Sequence, residues 1–358
     1  MFEAYQRGTS IEEVRRRFGA LVEGRAIVKL ASNENPLGSS PKALDALRSI
    51  ESLNVYVDDA YLDVKARLAS RHALAVENVV LGHGSNEIVR LAAETFLGPG
   101  DEAVTALPTF TLYRLAIALR GAVPVEVPLR DGVTDLSAML AAITPRTRLV
   151  YVCDPNNPTG TGIDDAAWRA FLKRLPPEIV LVVDQAYREY APAEAIDAIA
   201  DVRLRPRTLV LRTMSKIYGL AALRFGYGFA DDETIGRLER VRLPFNVAAP
   251  ALAGASAALD DAEFVARGIA ANEAGKALVL PALEGLGLDV YPTQANFYAV
   301  AVPTGASRAY EDLLRMGIIV RSGDALRMPG RLRITIGTQE QNRALLAAFE
   351  ELLPRWRG

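Results

Sequence analysis

Between about residues 54 and 242 the chain alternates short, strongly apolar runs with longer amphipathic stretches. Residues 79–81, 103–104, 123–127, 149–153, 180–183, 209–211 and 226–229 read as buried strands. Residues 85–97, 164–175 and 231–240 read as helices between them. A strand apolar at successive positions is covered on both faces. Repeated strand–helix–strand units provide that cover in a largely parallel α/β sheet with flanking helices. The first of these helices is well marked. Ser85 is expected to cap it, Ile88, Val89, Ala92 and Phe96 fall on one face, and Gly98-Pro99-Gly100 stops it.

Pro244 to Pro250 marks a transition. Beyond it come an Ala-rich helical stretch, a strand near 297–302, a helix near 307–316 and a further apolar run at 331–336, the order of a smaller α+β domain. The expected division is residues 1–30 as an N-terminal arm and part of the small domain, 31–245 as the large domain, and 246–358 as the small C-terminal domain. A chain of 358 residues has room for both. A net charge of −2 creates no whole-chain field for nucleic acid or an anionic membrane, so neither is an expected partner. The single cysteine, Cys153, and two histidines, His72 and His83, are too few for a disulfide or a zinc site, and no metal is expected. No run approaches the ~20 apolar residues of a membrane helix. The mixed-charge first segment is no secretory signal, and a cytoplasmic, soluble enzyme is expected.

The most informative segment is R-T-M-S-K-I-Y-G-L-A-A-L-R, residues 212–224. Its apolar lead-in places Lys216 at the mouth of a buried strand, where burial lowers the pKa of an amine. A neutral amine there condenses with an aldehyde to a Schiff base. Ser215 and Arg224 suit a phosphate, one as a hydroxyl donor and one as a planar cation. Gly82-His83-Gly84-Ser85-Asn86 feeds a helix N-terminus, which presents amide N–H groups to an anion. D-P-N-N-P-T-G, residues 154–160, is a loop at the carboxyl end of a strand, where open α/β sheets bind ligands. Asp184 closes the next apolar run. Read alone, each of these pieces is ordinary; a Ser-Lys pair is usually a solvated loop.

As an ordered set, the motifs resemble those of the fold-type I aminotransferases, most closely histidinol-phosphate aminotransferases. The resemblance runs from N-E-N-P at 33–36 to L-R-I-T-I-G-T at 332–338. It implies an aspartate-aminotransferase-like fold with pyridoxal 5′-phosphate held by Lys216. Gly84, Ser85, Asn86, Thr213, Ser215 and Arg224 would surround the phosphate. Asn157 and Tyr187 would meet the phenolic oxygen, and Asp184 the pyridine nitrogen. Tyr113 would stack on the ring, with Phe110 as its competitor. His83 is taken as a supporting polar residue rather than a base. Relatives often carry Glu at the position of Gln185, an exchange expected to leave the chemistry untouched.

For the substrate, the resemblance implies that the segment holding Asn35 covers it and that Asn157 contacts it. Arg333 would anchor the carboxylate of glutamate and, in turn, the phosphate of histidinol phosphate. Arg321 would be a second phosphate contact. Tyr56 would reach the neighbouring site of a homodimer, although V-Y-V-D-D stands here where relatives commonly read R-Y-P-D-P. The implied activity is ping-pong transamination between L-histidinol phosphate and 2-oxoglutarate or glutamate, in histidine biosynthesis. In it, Lys216 carries the proton from the substrate α-carbon. The alternatives are an aromatic (phenylalanine or tyrosine) aminotransferase, a threonine-phosphate decarboxylase and a non-catalytic protein that binds the same cofactor.

Overall fold

The structure, a computed structural model, describes residues 7–24 and 26–358. Residues 1–6 and 25 of the expected N-terminal arm lie outside the described residues. In chain order the strands are β1 (Val28–Lys29), β2 (Val79–His83), β3 (Glu102–Leu107), β4 (Val123–Pro128), β5 (Thr147–Cys153) and β6 (Val180–Asp184). They continue as β7 (Thr208–Thr213), β8 (Phe225–Phe229), β9 (Phe297–Ala301), β10 (Ile318–Ile319), β11 (Arg321–Ser322) and β12 (Arg331–Thr335).

Each of the seven apolar runs read between residues 79 and 229 is a strand of one sheet, in the order β2-β8-β7-β6-β5-β3-β4. Neighbours from β7 to β4 are parallel, while β8 runs antiparallel to both β2 and β7. Alternation along each strand explains the continuous apolar runs. Val150, Val152, Leu181, Val183 and Val210 enter the core on one face. Leu149, Tyr151, Val180, Val182 and Leu209 enter the core on the other.

A second sheet, β11-β12-β9, is antiparallel and carries its own core with the helices Ala306–Arg315 and Gln339–Arg357. The latter starts in a reciprocal cap between Thr338 and Gln341. The N-terminal helix Ile11–Val22 packs against these C-terminal elements, and β1 pairs in parallel with β10. No helix of the described residues is long and apolar enough to cross a membrane.

One local expectation is corrected. The helix is Ser85–Phe96, and Ser85 is its first residue rather than its cap. Gly84 holds the cap position with φ +74°, a conformation that L side chains rarely adopt. The chain therefore turns sharply from β2 into the helix, and Ser85 and Asn86 are left on the wall of a cavity.

Candidate active site

Strands β5, β6 and β7 are parallel neighbours, so their carboxyl ends open onto one edge of the sheet. Asn157 follows the first, Asp184 ends the second, and Ser215 and Lys216 follow the third. All four line a cavity of about 230 Å³. A water needs only ~10–15 Å³ on this measure, so the space suits a small molecule.

At one end Arg224 Nη1 donates to Ser215 Oγ at 3.2 Å and to the Ala221 carbonyl at 3.0 Å. Arg224 itself is in the left-handed region at φ +55°. A Cβ on Gly84 would run into its guanidinium, so the glycine is what lets helix start and cation meet. Burial lowers the pKa of Arg224. A half-buried cation beside a hydroxyl and the first turn of a helix fits an anion such as a phosphate ester. Thr213 lines the same end, but its hydroxyl is engaged within the turn, accepting from the Ser215 amide at 3.1 Å and donating to the Phe225 carbonyl.

In the middle, Lys216 Nζ lies 3.3 Å from the Ser32 carbonyl and 5.6 Å from the centre of the Tyr187 ring. Burial, helped by the charge of Arg333, lowers its pKa from 10.5 to about 8. Asp184 accepts from the Tyr113 hydroxyl at 2.8 Å and from the Ala186 amide at 3.2 Å. Burial still pushes its pKa up. A cationic donor in the cavity would favour the charged form of such a carboxylate. The Tyr187 hydroxyl accepts from Asn33 Nδ2 at 3.0 Å and from Asn157 Nδ2 at 3.4 Å.

At the far end Arg333 donates to Asn157 Oδ1 at 2.8 Å and to the Ala31 carbonyl at 2.5 Å. Arg321 is its register partner across β11 and β12. Both are 7% exposed and both line the cavity. Like charges set opposite each other on antiparallel strands repel, and an anion placed at both relieves that. Gly8 packs against Arg321 on the same wall.

Two expected residues are displaced by close neighbours. Tyr113 is fully buried behind Asp184, stacked on Tyr151 with ring centres 4.8 Å apart, and is not on the cavity wall. It belongs to the first turn of the helix Leu112–Leu119, which packs on the sheet. Phe110, in the loop before that helix, lines the cavity instead. Asn35 is likewise turned away, donating to the Ile217 carbonyl at 2.7 Å and accepting from the Leu37 amide. It staples the N-E-N-P turn to the residue after Lys216, and Asn33 is the asparagine on the wall. The only sequence signal for Asn33 was the motif it shares with Asn35. Tyr56 is 79% exposed and stacked on Phe245, away from this chain's own cavity wall. His83 is exposed, and its backbone amide is held by Glu87.

The family described as aminotransferase class I and II matches residues 25–349. The histidinol-phosphate aminotransferase of Moorella thermoacetica is 45% identical over 352 residues, covering 98% of this chain and 90% of the relative. Histidinol-phosphate aminotransferase 2 of Ralstonia nicotianae is 46% identical over 354 residues, covering 98% and 94%. Among solved structures, the histidinol-phosphate aminotransferase of Sinorhizobium meliloti in complex with pyridoxal-5′-phosphate superposes with a TM-score of 0.88. It shares 28% identity, with 97% of this chain and 95% of that one covered.

Proposed function

We propose that this chain, which belongs to the class I and II aminotransferases, moves an amino group between L-histidinol phosphate and 2-oxoglutarate in histidine biosynthesis. Pyridoxal 5′-phosphate is its cofactor, and the two substrates use one site in turn. The observation that carries the substrate is the buried pair Arg321 and Arg333 on one cavity wall. A planar guanidinium accepts a phosphate or a carboxylate equally well, so Arg333 serves the phosphorylated donor and glutamate alternately, with Arg321 as a second contact for the phosphate.

Bound pyridoxal phosphate supplies an electron-withdrawing ring that stabilises negative charge developing at the substrate α-carbon. The protein's own groups do the rest. Lys216, with its amine pKa near 8, is partly neutral near pH 7 and would hold the cofactor through its aldehyde carbon. Its freed amine would be the base that moves the proton at the substrate α-carbon. Asp184 would keep the ring nitrogen protonated, and Tyr113 orients that carboxylate from behind. Tyr187 and Asn157 would meet the phenolic oxygen, with Asn33 steadying the tyrosine. Gly84, Ser85, Asn86, Thr213, Ser215 and Arg224 would form the phosphate end, and Phe110 on the cavity wall would meet the ring.

The same reading makes the protein a cytoplasmic homodimer. Tyr56 stacks on Phe245, and Leu53, Val55 and Leu243, near them in sequence, are exposed as well. These exposed apolar side chains suit burial against a second copy, with Tyr56 delivered to the neighbouring cavity. The test is a donor panel: initial rates with histidinol phosphate, phenylalanine and tyrosine, each with 2-oxoglutarate. Histidinol phosphate is expected to have the highest kcat/KM. A higher value for phenylalanine or tyrosine, or carbon dioxide release from threonine phosphate, would overturn the substrate assignment.

A further inference from the structure

Arg212 is the penultimate residue of β7, one before Thr213 and four before Lys216. Strand alternation turns it to the face of the sheet opposite Leu211, and it is 6% exposed. Three acceptors meet its guanidinium: Asp197 Oδ1 at 2.9 Å, Gln185 Oε1 at 3.1 Å and Glu189 Oε1 at 3.4 Å. Gln185 and Glu189 bracket the turn that presents Tyr187, and Gln185 directly follows Asp184. That turn is closed by its own backbone, with the Arg188 amide donating to the Gln185 carbonyl at 3.2 Å. One arginine thus ties the turn carrying the acid and the tyrosine to the strand carrying the lysine.

Gln185 is fully buried and uses both ends of its amide. Nε2 donates to the Ile196 carbonyl at 2.8 Å. Oε1 accepts from the Ala198 amide at 3.2 Å as well as from Arg212. An ionised carboxylate has no proton to give Ile196, and here it would be the third carboxylate around one guanidinium. Neither Gln185 nor Arg212 is on the cavity wall.

Contrary to the expectation that an exchange with Glu here leaves the chemistry untouched, we propose that Gln185 is a positioning residue of the active site in this chain: through Arg212 and the 196–198 loop, its amide sets Asp184 and Tyr187 against Lys216. This rests on the reading of Lys216 as the cofactor lysine. It acts on geometry rather than contact, so it is felt in kcat and in how the cofactor ring is held.

The test compares Gln185→Glu and Gln185→Met with the natural holoenzyme. Each is expected to lower kcat about tenfold while KM for the amino donor stays within about twofold, the pattern of misplaced reacting groups. Circular dichroism of the bound cofactor in its visible band, which reports how the ring is held, should fall in step. Adding Glu189→Gln to Gln185→Glu returns Arg212 to two carboxylates and should recover part of both signals. That double variant also carries the test should Gln185→Glu alone fail to fold. Variants with the natural kcat and dichroism, or with only KM raised, would overturn the inference. Should the natural chain itself show no dichroic band with pyridoxal phosphate, the cofactor reading fails, and this inference with it.

Discussion

The Tyr113 hydroxyl reaches Asp184 at 2.8 Å from inside the core, while Asp184 itself lines the cavity. The carboxylate is therefore held in place before any ligand arrives. Burial raises its pKa, and the tyrosine's hydrogen bond opposes the rise.

Tyr113→Phe removes that opposing donor, so the pKa of Asp184 rises further. A carboxyl whose folded pKa exceeds its unfolded value costs the folded state stability once pH passes the unfolded value, near 3.9. The stability gap between variant and natural apo-protein should therefore widen as pH rises through the raised pKa. It should level at about 1.5–3 kcal/mol, the worth of a hydrogen bond to a charged group. Urea unfolding at pH 5 and pH 8 measures it, and an equal gap at both would refute the account.

Lys216→Met should abolish transamination with every donor, along with the borohydride-fixable attachment of cofactor. It also has a signature without ligand. The lysine's pKa of about 8 lies below its ordinary 10.5, so between those values the folded chain binds fewer protons than the unfolded one. Stability of the natural apo-protein therefore climbs from about pH 8 to about 10.5. The methionine variant is expected to be the more stable at pH 7, with its advantage shrinking across that window. A constant difference would show that the amine is not buried as a cation.

Gly84→Ala forces a side chain into φ +74° and into the Arg224 guanidinium. The backbone strain alone is about 1–3 kcal/mol. Apo-protein melting should drop, and because ~1.4 kcal/mol is tenfold in binding, the cofactor dissociation constant should rise by about that factor or more. Unchanged cofactor affinity would show that the phosphate does not rest at this turn.

Arg321→Ala and Arg333→Ala should separate. Loss of Arg321 is expected to raise KM for histidinol phosphate by roughly 30-fold or more, the ~2 kcal/mol cost of an unpaired charge, with little effect on glutamate. Loss of Arg333 should damage both half-reactions, because it also frees Asn157. Single-turnover rates with each donor decide it. An equal effect of Arg321→Ala on glutamate and histidinol phosphate would refute the division of labour.

Legibility differed from residue to residue. Lys216, Asp184 and Asn157 were readable because each sits next to an apolar strand, and a strand end is a local feature. Phe110 and Tyr113 are only three residues apart, and Asn33 and Asn35 only two, so composition and spacing treat each pair alike. Whether a side chain faces the cavity depends on where the helix Leu112–Leu119 begins and on the positive φ of Asn33. Ser85 looked like a helix cap for a similar reason. Its chemistry suits the role, but the sharp turn at Gly84 shifted the helix start by one residue.

The amino-acid order by itself determined the sheet, the family and the place of Lys216 just past a strand end. A strand covered on both faces must be apolar along its own length, and the motifs need only their local neighbours to be seen. The tertiary structure alone decided which groups converge. Asn33 meets Tyr187 across 154 positions, and Arg333 meets Asn157 across 176. Contacts that distant follow from how two sheets pack, which no window of sequence contains.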